Sequence, residues 1–190
     1  MTNSQPLTKS GSGPTDAALV VAARAGDGWA QEALFRRYAR MALGLAYRML
    51  PKDGDADDLV QDAFLYAFEN LGRLQNPQAF AAWLGSIVVR TGSKRLRRQR
   101  LLTRLGIRRA EPIEPDAVIA PTAPPEVALE LRALYRSLEG MPADERVVLV
   151  LRRVESFEIA QIAEYTGLSV STVKRRLRSA ESRLERLKGR

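Results

Sequence analysis

Apolar residues recur along most of the chain at the three- to four-residue spacing of amphipathic α-helices. No stretch alternates apolar and polar residues as a half-buried β-strand would. The N-terminal half predicts four helices: over residues 15–25, up to residue 50, over residues 55–71 and from residue 76 onward. Helical spacing returns after residue 125, so the pattern predicts an all-α protein with two groups of helices.

Each predicted helix is expected to bury one apolar stripe. The stripes are Leu34, Tyr38, Met41 and Leu45; Val60, Phe64, Ala67 and Leu71; Phe80, Trp83, Leu84 and Ile87; and, after residue 125, Val127, Leu131, Leu134 and Leu138. A chain of 190 residues is long enough for each group of helices to form a small core of its own.

Two segments lack any apolar stripe. Residues 1–14 are rich in Ser, Thr, Gly and Pro and are predicted to form a disordered tail. Residues 101–125 contain five of the ten prolines and are predicted to form a flexible, partly extended linker. These segments leave a four-helix domain over residues 15–100 and a second helical domain over residues 126–188.

The C-terminal domain carries the pattern of a helix-turn-helix between residues 156 and 177. Ala163 is small where two helices would approach each other, and Gly167 suits the left-handed conformation that ends a first helix. Leu168 is expected to enter the core and Ser169 to cap the second helix. These spacings favour a DNA-binding helix-turn-helix over an ordinary solvated basic helix.

The second helix of this motif presents a polar, cationic face opposite its buried stripe. Such a helix fits the major groove of DNA, where residues near its N-terminus reach base edges and neighbouring cations reach phosphates. The predicted base readers are Ser171, Thr172 and Arg175, and the predicted phosphate contacts are Lys174, Arg176 and Arg178.

Composition narrows the chemistry. Lys and Arg outnumber Asp and Glu by 30 to 22, and the resulting net charge of +8 predicts an anionic partner such as nucleic acid or a membrane surface. The absence of Cys and His excludes disulfides, thiolate or histidine metal sites and His-based proton transfer. No apolar run is long enough to cross a bilayer. We therefore expect a cytoplasmic protein with no membrane insertion and no cofactor.

One predicted helix differs from the basic remainder of the chain. Residues 53–69 contain six acidic and no basic residues. The face opposite the core stripe of this helix carries Asp58, Asp62, Leu65 and Glu69, with Gln61 and Tyr66 at its edges. Such a face would repel DNA and suits docking on a cationic protein, with Leu65 as an apolar anchor. A simply solvated acidic face fits the same composition, which leaves both interpretations open.

The next predicted helix combines aromatic and basic residues. Phe80 and Trp83 come first, followed by a run of cations: Arg90, Lys94, Arg95, Arg97, Arg98 and Arg100. Rings beside cations suit single-stranded DNA, because the rings stack on unpaired bases and the cations neutralise phosphates. Rings on an apolar stripe are, however, more often part of a core. We predict DNA contact for the basic run and leave both roles open for the rings.

The order of these motifs resembles the extracytoplasmic-function family of bacterial sigma factors. Residues 55–68 (DADDLVQDAFLYAF) are similar to the core-polymerase motif of its region 2, and residues 80–87 (FAAWLGSI) to the start of its promoter-melting helix. Residues 138–152 (LEGMPADERVVLVLR), followed by the helix-turn-helix, are similar to its region 4. The resemblance covers nearly all of residues 16–188.

The resemblance implies a mechanism and a set of partners. The acidic face would bind the β′ coiled coil of core RNA polymerase, the region 4-like domain would meet the β flap, and the recognition helix would read the minus-35 element of promoter DNA. An anti-sigma factor is a further candidate partner. The polymerase would supply the chemistry, so the chain itself is not expected to be an enzyme. The residues that would engage and help to melt the minus-10 element are Phe80, Trp83, Arg90, Lys94, Arg95, Arg97 and Arg98.

Two positions depart from the family pattern. Members often have Asn and Asp where this chain has Arg90 and Lys94, and the added charge predicts stronger phosphate contact there.

Two alternative functions fit parts of the sequence. The recognition helix also resembles that of a response regulator, so a helix-turn-helix regulator that is not a sigma factor is the main alternative. A magnesium-dependent enzyme using Asp57, Asp58 and Asp62 is less favoured, because the last two share a solvent face that has no pocket signature.

Overall fold

The structure is a computed structural model that describes residues 13–50, 55–107, 116, 119–138 and 141–188. All regular secondary structure in this part of the chain is helical, which confirms the predicted all-α fold class. Two short 3₁₀ turns, Leu71–Arg73 and Pro77–Ala79, lie between the third and fourth α-helices. The α-helices are α1 (Asp16–Arg24), α2 (Gly28–Met49), α3 (Asp55–Glu69), α4 (Phe80–Arg104), α5 (Pro125–Leu138), α6 (Ala143–Arg153), α7 (Ile159–Thr166) and α8 (Val170–Lys188).

The ends of the two domains differ slightly from the predicted boundaries. The tail predicted over residues 1–14 lies outside the described residues except for its last two. Helix α4 continues to Arg104, four residues into the segment predicted as linker, and ends just before Gly106, whose φ of +70° an L-residue rarely adopts. Much of the remaining linker, residues 108–115 and 117–118, also lies outside the described residues.

Side-chain caps start the first two helices. The hydroxyl of Thr15 accepts a hydrogen bond from the Ala18 amide at 3.3 Å, and Asp27 accepts from the amides of Trp29 and Ala30 at 2.9 and 3.2 Å. Between these helices, Gly26 has a φ of +90°, which lets the chain reverse direction. Sequence signals of only a few residues therefore determine where the first two helices of the N-terminal domain begin.

The core of the N-terminal domain lies between α2, α3 and α4. All four residues of the predicted α3 stripe are buried. In α2, Met41 is 38% exposed, and the buried residues include Ala42 and Ala46 instead. The predicted stripe contained only large apolar residues, whereas small alanines allow the helices to approach each other closely.

The predicted apolar stripe of α5 was wrong at its first position. Val127 is 45% exposed, whereas Ala128 and Tyr135 are buried together with Leu138. Tyr135 is fully buried, and its hydroxyl donates to the backbone carbonyl of Arg48 at 3.0 Å. Burial raises the pKa of Tyr135. This tyrosine anchors α5 on the end of α2 and thereby sets which face of α5 is covered.

Helix α4 connects the two domains. Its residues 84–89 are all buried, so apolar neighbours surround the helix on every side. Helices α2 and α3 pack on one side of α4, and α6 and α7 of the C-terminal domain pack on it as well. At Gly85, a Cβ atom would lie 2.7 Å from Cε1 of Tyr165 in α7, so this close approach requires glycine.

Polar contacts between the domains converge on the C-terminal end of α2. Arg146 donates to the carbonyl of Met49 at 2.8 Å, next to the Arg48 carbonyl that accepts from Tyr135. The last carbonyls of a helix lack intrahelical partners, and here the C-terminal domain supplies them. The Arg48 guanidinium also pairs with Glu155, with Nη2 3.1 Å from Oε2.

No helix in the described part of the chain is both long enough and apolar enough to cross a membrane.

The two faces of α3 make a matched pair for a stability test. Leu59 is fully buried and Leu65 is 56% exposed. Replacing Leu59 by Ala should lower the free energy of unfolding by about 2–5 kcal/mol, because the substitution removes buried surface and leaves a cavity. Leu65→Ala should change it by less than about 0.5 kcal/mol. Urea denaturation of both variants checks the assignment, and equal losses would contradict it.

Candidate nucleic-acid and polymerase interfaces

The turn of the helix-turn-helix forms as the sequence predicts. Gly167 has a φ of +71° and ends α7 in the left-handed conformation. The amides of Gly167 and Leu168 both donate to the carbonyl of Ala163, at 2.9 and 3.2 Å. At the other end of α7, the side chain of Gln161 accepts from the Glu158 amide at 2.8 Å. Both ends of this eight-residue helix are thus hydrogen-bonded locally.

Helix α8 begins with a cluster of hydroxyl groups. Ser169 caps the helix by accepting from the Thr172 amide at 3.2 Å, as predicted. Its hydroxyl also lies 3.0 Å from that of Ser171 and 2.8 Å from that of Thr172. These hydroxyls lie at the N-terminal end of the helix, which is the part of a recognition helix that contacts base edges in helix-turn-helix proteins.

The predicted DNA-facing residues of α8 differ in exposure. Val173, Leu177 and Ala180 are buried, whereas Val170 is 45% exposed at the start of the helix. Thr172 is half-buried. Ser171, Lys174, Arg175 and Arg178 are exposed.

Arg176, another member of the predicted set, forms an ion pair with a neighbouring helix. Its guanidinium forms an ion pair with Asp144 at 3.1 Å, and its side chain is 24% exposed.

The predicted polymerase-docking face of α3 is open to solvent. Asp58, Gln61, Asp62 and Leu65 are all exposed, and Tyr66 beside them is 46% exposed. The face therefore combines carboxylates with apolar surface, as a protein-binding site does. The structure brings the four predicted residues together on one surface of one helix.

One predicted DNA contact is tied to this acidic helix. Arg95 of α4 pairs with Asp62 at 3.0 Å and donates to the carbonyl of Asp55 at 2.7 Å. Arg95 thus fastens α4 to the start of α3.

The two rings of the predicted minus-10 set are placed differently. Phe80 is fully buried, with its ring centroid 5.4 Å from Tyr38 and 6.2 Å from Trp83. Phe80 therefore packs in the core rather than facing DNA, contrary to its place in the expected DNA-contacting set. Trp83 is half-buried. Burial and a hydrogen bond to Asp16 raise the pKa of Tyr38 to about 12.

The basic residues of α4 are largely exposed, but some of them also bond within the protein. Arg90, Lys94, Arg97 and Arg98 are all exposed. Arg97 pairs with Asp144 at 3.0 Å. Arg90, one of the two departures from the family pattern, donates to the carbonyl of Glu164 near the C-terminal end of α7 at 3.1 Å. A cation is favourable at that end of a helix, so the structure gives this arginine a role between the domains.

Sequence reasoning missed Arg24, at the end of α1. Its Nε donates to the carbonyl of Leu71 at 3.0 Å, and Nη2 donates to the carbonyl of Leu74. These carbonyls lie in the turn between α3 and α4, so Arg24 fixes the shape of that turn. No local signal marks the residue, because its partners lie about fifty positions further along the chain.

The two acids in the first turn of α6 do more than the sequence indicates. The sequence explains Asp144 and Glu145 as favourable charges at a helix start. In the structure, Asp144 pairs with Arg97 and Arg176. Glu145 accepts from the Ser179 hydroxyl at 3.0 Å and pairs with Arg183 at 2.9 Å. These acids hold the recognition helix on α6, and Asp144 also reaches α4.

Comparison with known proteins identifies the family. Residues 34–101 match sigma-70 region 2 and residues 131–184 match sigma-70 region 4. The chain is 35% identical over 176 residues to the ECF RNA polymerase sigma factor SigM of Mycobacterium tuberculosis (strain H37Rv), covering 92% of this chain and 85% of that relative. The chain belongs to the extracytoplasmic-function (ECF) family of sigma factors. Proteins of this family are transcription initiation factors without enzymatic activity of their own.

Other relatives of this ECF sigma factor agree. It is 30% identical over 178 residues to the ECF RNA polymerase sigma-E factor of Escherichia coli K12, covering 90% of this chain and 93% of the relative. The structure of CnrH in complex with the cytosolic domain of CnrY matches at a TM-score of 0.58 with 28% identity. The match covers 92% of this chain and 97% of the matched chain. The sigma factor RpoE of Bartonella quintana, solved with the anti-sigma factor NepR, matches in fold at a TM-score of 0.61, with 23% identity over 83% of this chain and 96% of that one.

The left-handed Gly167 provides a test of the recognition geometry. Gly167→Ala should lower the free energy of unfolding by about 1–2 kcal/mol, because a Cβ atom is strained in this conformation. Thermal or urea denaturation measures the loss. Gly28→Ala is the matched control, since Gly28 has no heavy atom near its would-be Cβ and no positive φ. If the Gly167→Ala protein were as stable as the control, the turn would tolerate a side chain.

Proposed function

We propose that this ECF sigma factor binds core RNA polymerase, recognises promoter DNA through both domains and directs promoter opening and transcription initiation. The polymerase carries out the chemistry, and the sigma factor acts with it in the cytoplasm without a cofactor or enzymatic activity of its own. A regulator that only binds DNA has no need for a protein-docking face such as that of α3. The observation that carries the proposal is the combination of this open acidic face with a cationic recognition helix in the same chain.

We assign the polymerase contact to the acidic face of α3. Asp58, Gln61, Asp62 and Leu65 would dock on the basic β′ coiled coil, with Leu65 contributing apolar surface at the centre of the charges. The C-terminal domain would meet the β flap. Exposure of all four side chains supports the first of these assignments.

We assign the minus-35 contact to α8 and the minus-10 contact to α4. Ser171, Thr172 and Arg175 would read bases, and Lys174, Arg176 and Arg178 would bind phosphates. The minus-10 set is Trp83, Arg90, Lys94, Arg95, Arg97 and Arg98, without the buried Phe80. Lys94 and Arg98 support this assignment most directly, because they are exposed on α4.

We also propose an anti-sigma factor as a partner. Two similar structures are complexes: CnrH with the cytosolic domain of CnrY, and the sigma factor RpoE with the anti-sigma factor NepR. A protein of that class would inhibit this sigma factor by covering its polymerase-docking or DNA-binding surfaces.

Reconstituted transcription tests the function as a whole. The purified sigma factor with core polymerase and a promoter library should initiate at a specific subset of sequences. Sequencing of the transcripts would give the minus-35 and minus-10 elements that it reads. DNA binding without polymerase-dependent initiation would favour the alternative, a helix-turn-helix regulator.

Charge reversal on α3 tests the docking face. Asp62→Arg should weaken core-polymerase binding about tenfold or more, as expected when a central interface residue is lost. Asp116→Arg is the control, because Asp116 is an exposed carboxylate outside the face, paired with Arg132. Fluorescence titration with labelled sigma factor measures both affinities, and unfolding curves confirm that both variants fold. Equal affinities for the two variants would remove the docking assignment.

Two arginines of α8 separate base reading from phosphate contact. Arg175→Ala should cost about 1–3 kcal/mol on the preferred promoter and relax the preference at one base pair. Arg178→Ala should weaken binding by the same factor on every sequence and should reduce the salt dependence of DNA affinity. Binding measurements on a panel of single-base promoter variants distinguish the two. If Arg175→Ala lowers affinity uniformly across the panel, this residue contacts only the backbone.

A further inference from the structure

Two DNA-facing cations from different domains share a single carboxylate. Arg97 of α4 lies 3.0 Å from Oδ1 of Asp144, and Arg176 of α8 lies 3.1 Å from Oδ2. Asp144 belongs to the first turn of α6. Each oxygen of this carboxylate therefore serves a different guanidinium, one on the minus-10 helix and one on the minus-35 helix.

The surroundings of Asp144 extend this contact. A crevice between the domains contains Asp144, Arg97 and Arg176. It is also lined by Arg90 and Ser93 of α4 and by Thr166 of α7. Within it, Arg90 donates to the carbonyl of Glu164. Closer to the start of α4, Gly85 packs against the ring of Tyr165. The C-terminal domain thus packs beside Arg90 and Arg97, and both side chains remain exposed.

We propose that Asp144 is an internal competitor for promoter phosphates, which holds Arg97 and Arg176 together in a closed arrangement of the two domains. In the free sigma factor, each arginine must leave Asp144 before its guanidinium can bind a phosphate, and separation of the domains removes the contact of Arg97 with Asp144. This proposal rests on the proposed function, because it takes both arginines as DNA contacts.

The chemistry of the groups supports competition. A guanidinium donates to carboxylate and phosphate oxygens with the same planar geometry, so the donors that face Asp144 are the ones that a phosphate would take. Ion pairs that are partly exposed contribute little stability each. The side chains of Arg97 and Asp144 are 55% and 27% exposed, so their bond can break reversibly. Apparent DNA affinity is then reduced by the fraction of molecules that are closed.

The first experiment removes the competing charge. The free Asp144→Asn protein should bind a promoter fragment about two- to tenfold more tightly than the unchanged protein, the range set by loss of one or two modest ion pairs. Glu181→Gln is the control, because Glu181 lies on α8 and pairs with Arg153 within the same domain. It removes the same charge near DNA without touching α4. Equal gains for the two variants would reduce the effect to bulk charge and overturn the proposal.

A steric variant tests opening independently of charge. Gly85→Ala places a Cβ atom 2.7 Å from the ring of Tyr165 and should push the domains apart. It should therefore also tighten promoter binding by the free protein. Unchanged or weaker binding by a folded Gly85→Ala variant would count against a closed state that competes with DNA.

The second experiment locks the domains together. The chain contains no cysteine, so Arg48→Cys with Glu155→Cys creates a single reactive pair across the interface. A short bifunctional maleimide with a reducible centre should join the pair within one chain. The cross-linked protein should lose most of its promoter affinity, and reduction of the linker should restore it. Failure to cross-link within one chain, or equal affinity before and after reduction, would overturn the closed arrangement.

Transcription assays separate this proposal from the proposed function. If the unmodified holoenzyme fails to initiate at any promoter, the proposed function fails. If it initiates while the cross-linked free protein binds the same promoter normally, only the competition by Asp144 fails.

Discussion

Helix α4 must satisfy two hydrophobic cores at once, and the arrangement of the whole chain follows from this constraint. Six successive residues, 84–89, are buried, which is possible only where neighbours enclose the helix on every side. Gly85 leaves room for one of these neighbours, the ring of Tyr165. The cations that we assign to DNA begin at Arg90, where the continuous run of buried residues ends. The same helix thus forms the contact between the domains and carries the proposed minus-10 surface.

The charges of the protein are divided between surfaces of different availability. The acidic face of α3 is open to solvent throughout, although Asp62 also pairs with Arg95. Three of the cations that we assign to DNA, Arg90, Arg97 and Arg176, are already bonded across or beside the crevice between the domains. The proposed polymerase-docking face is therefore accessible in an arrangement in which part of the proposed DNA-binding charge is already engaged.

Features that depend on a few neighbouring residues could be predicted from the sequence. The left-handed Gly167, the cap at Ser169 and the buried stripe of α3 are of this kind, and they suffice to place the recognition helix and the docking face. Features that depend on tertiary contact could not. The partners of Arg24 lie about fifty residues away, and Asp144 looks in the sequence like any acid at a helix start. The family resemblance could not distinguish a core role for Phe80 from a DNA-binding one, because only packing decides it.

The two bonds on Asp144 also change how salt acts on this protein. A cation that leaves water for DNA releases condensed counterions, so each new phosphate contact makes affinity fall more steeply as salt rises. Arg97 and Arg176 instead exchange a carboxylate for a phosphate, and salt screens both the bond that breaks and the bond that forms. This exchange releases fewer counterions than two free cations would. The affinity of the free sigma factor should consequently respond to ionic strength as though it carried fewer DNA-facing charges than its sequence contains.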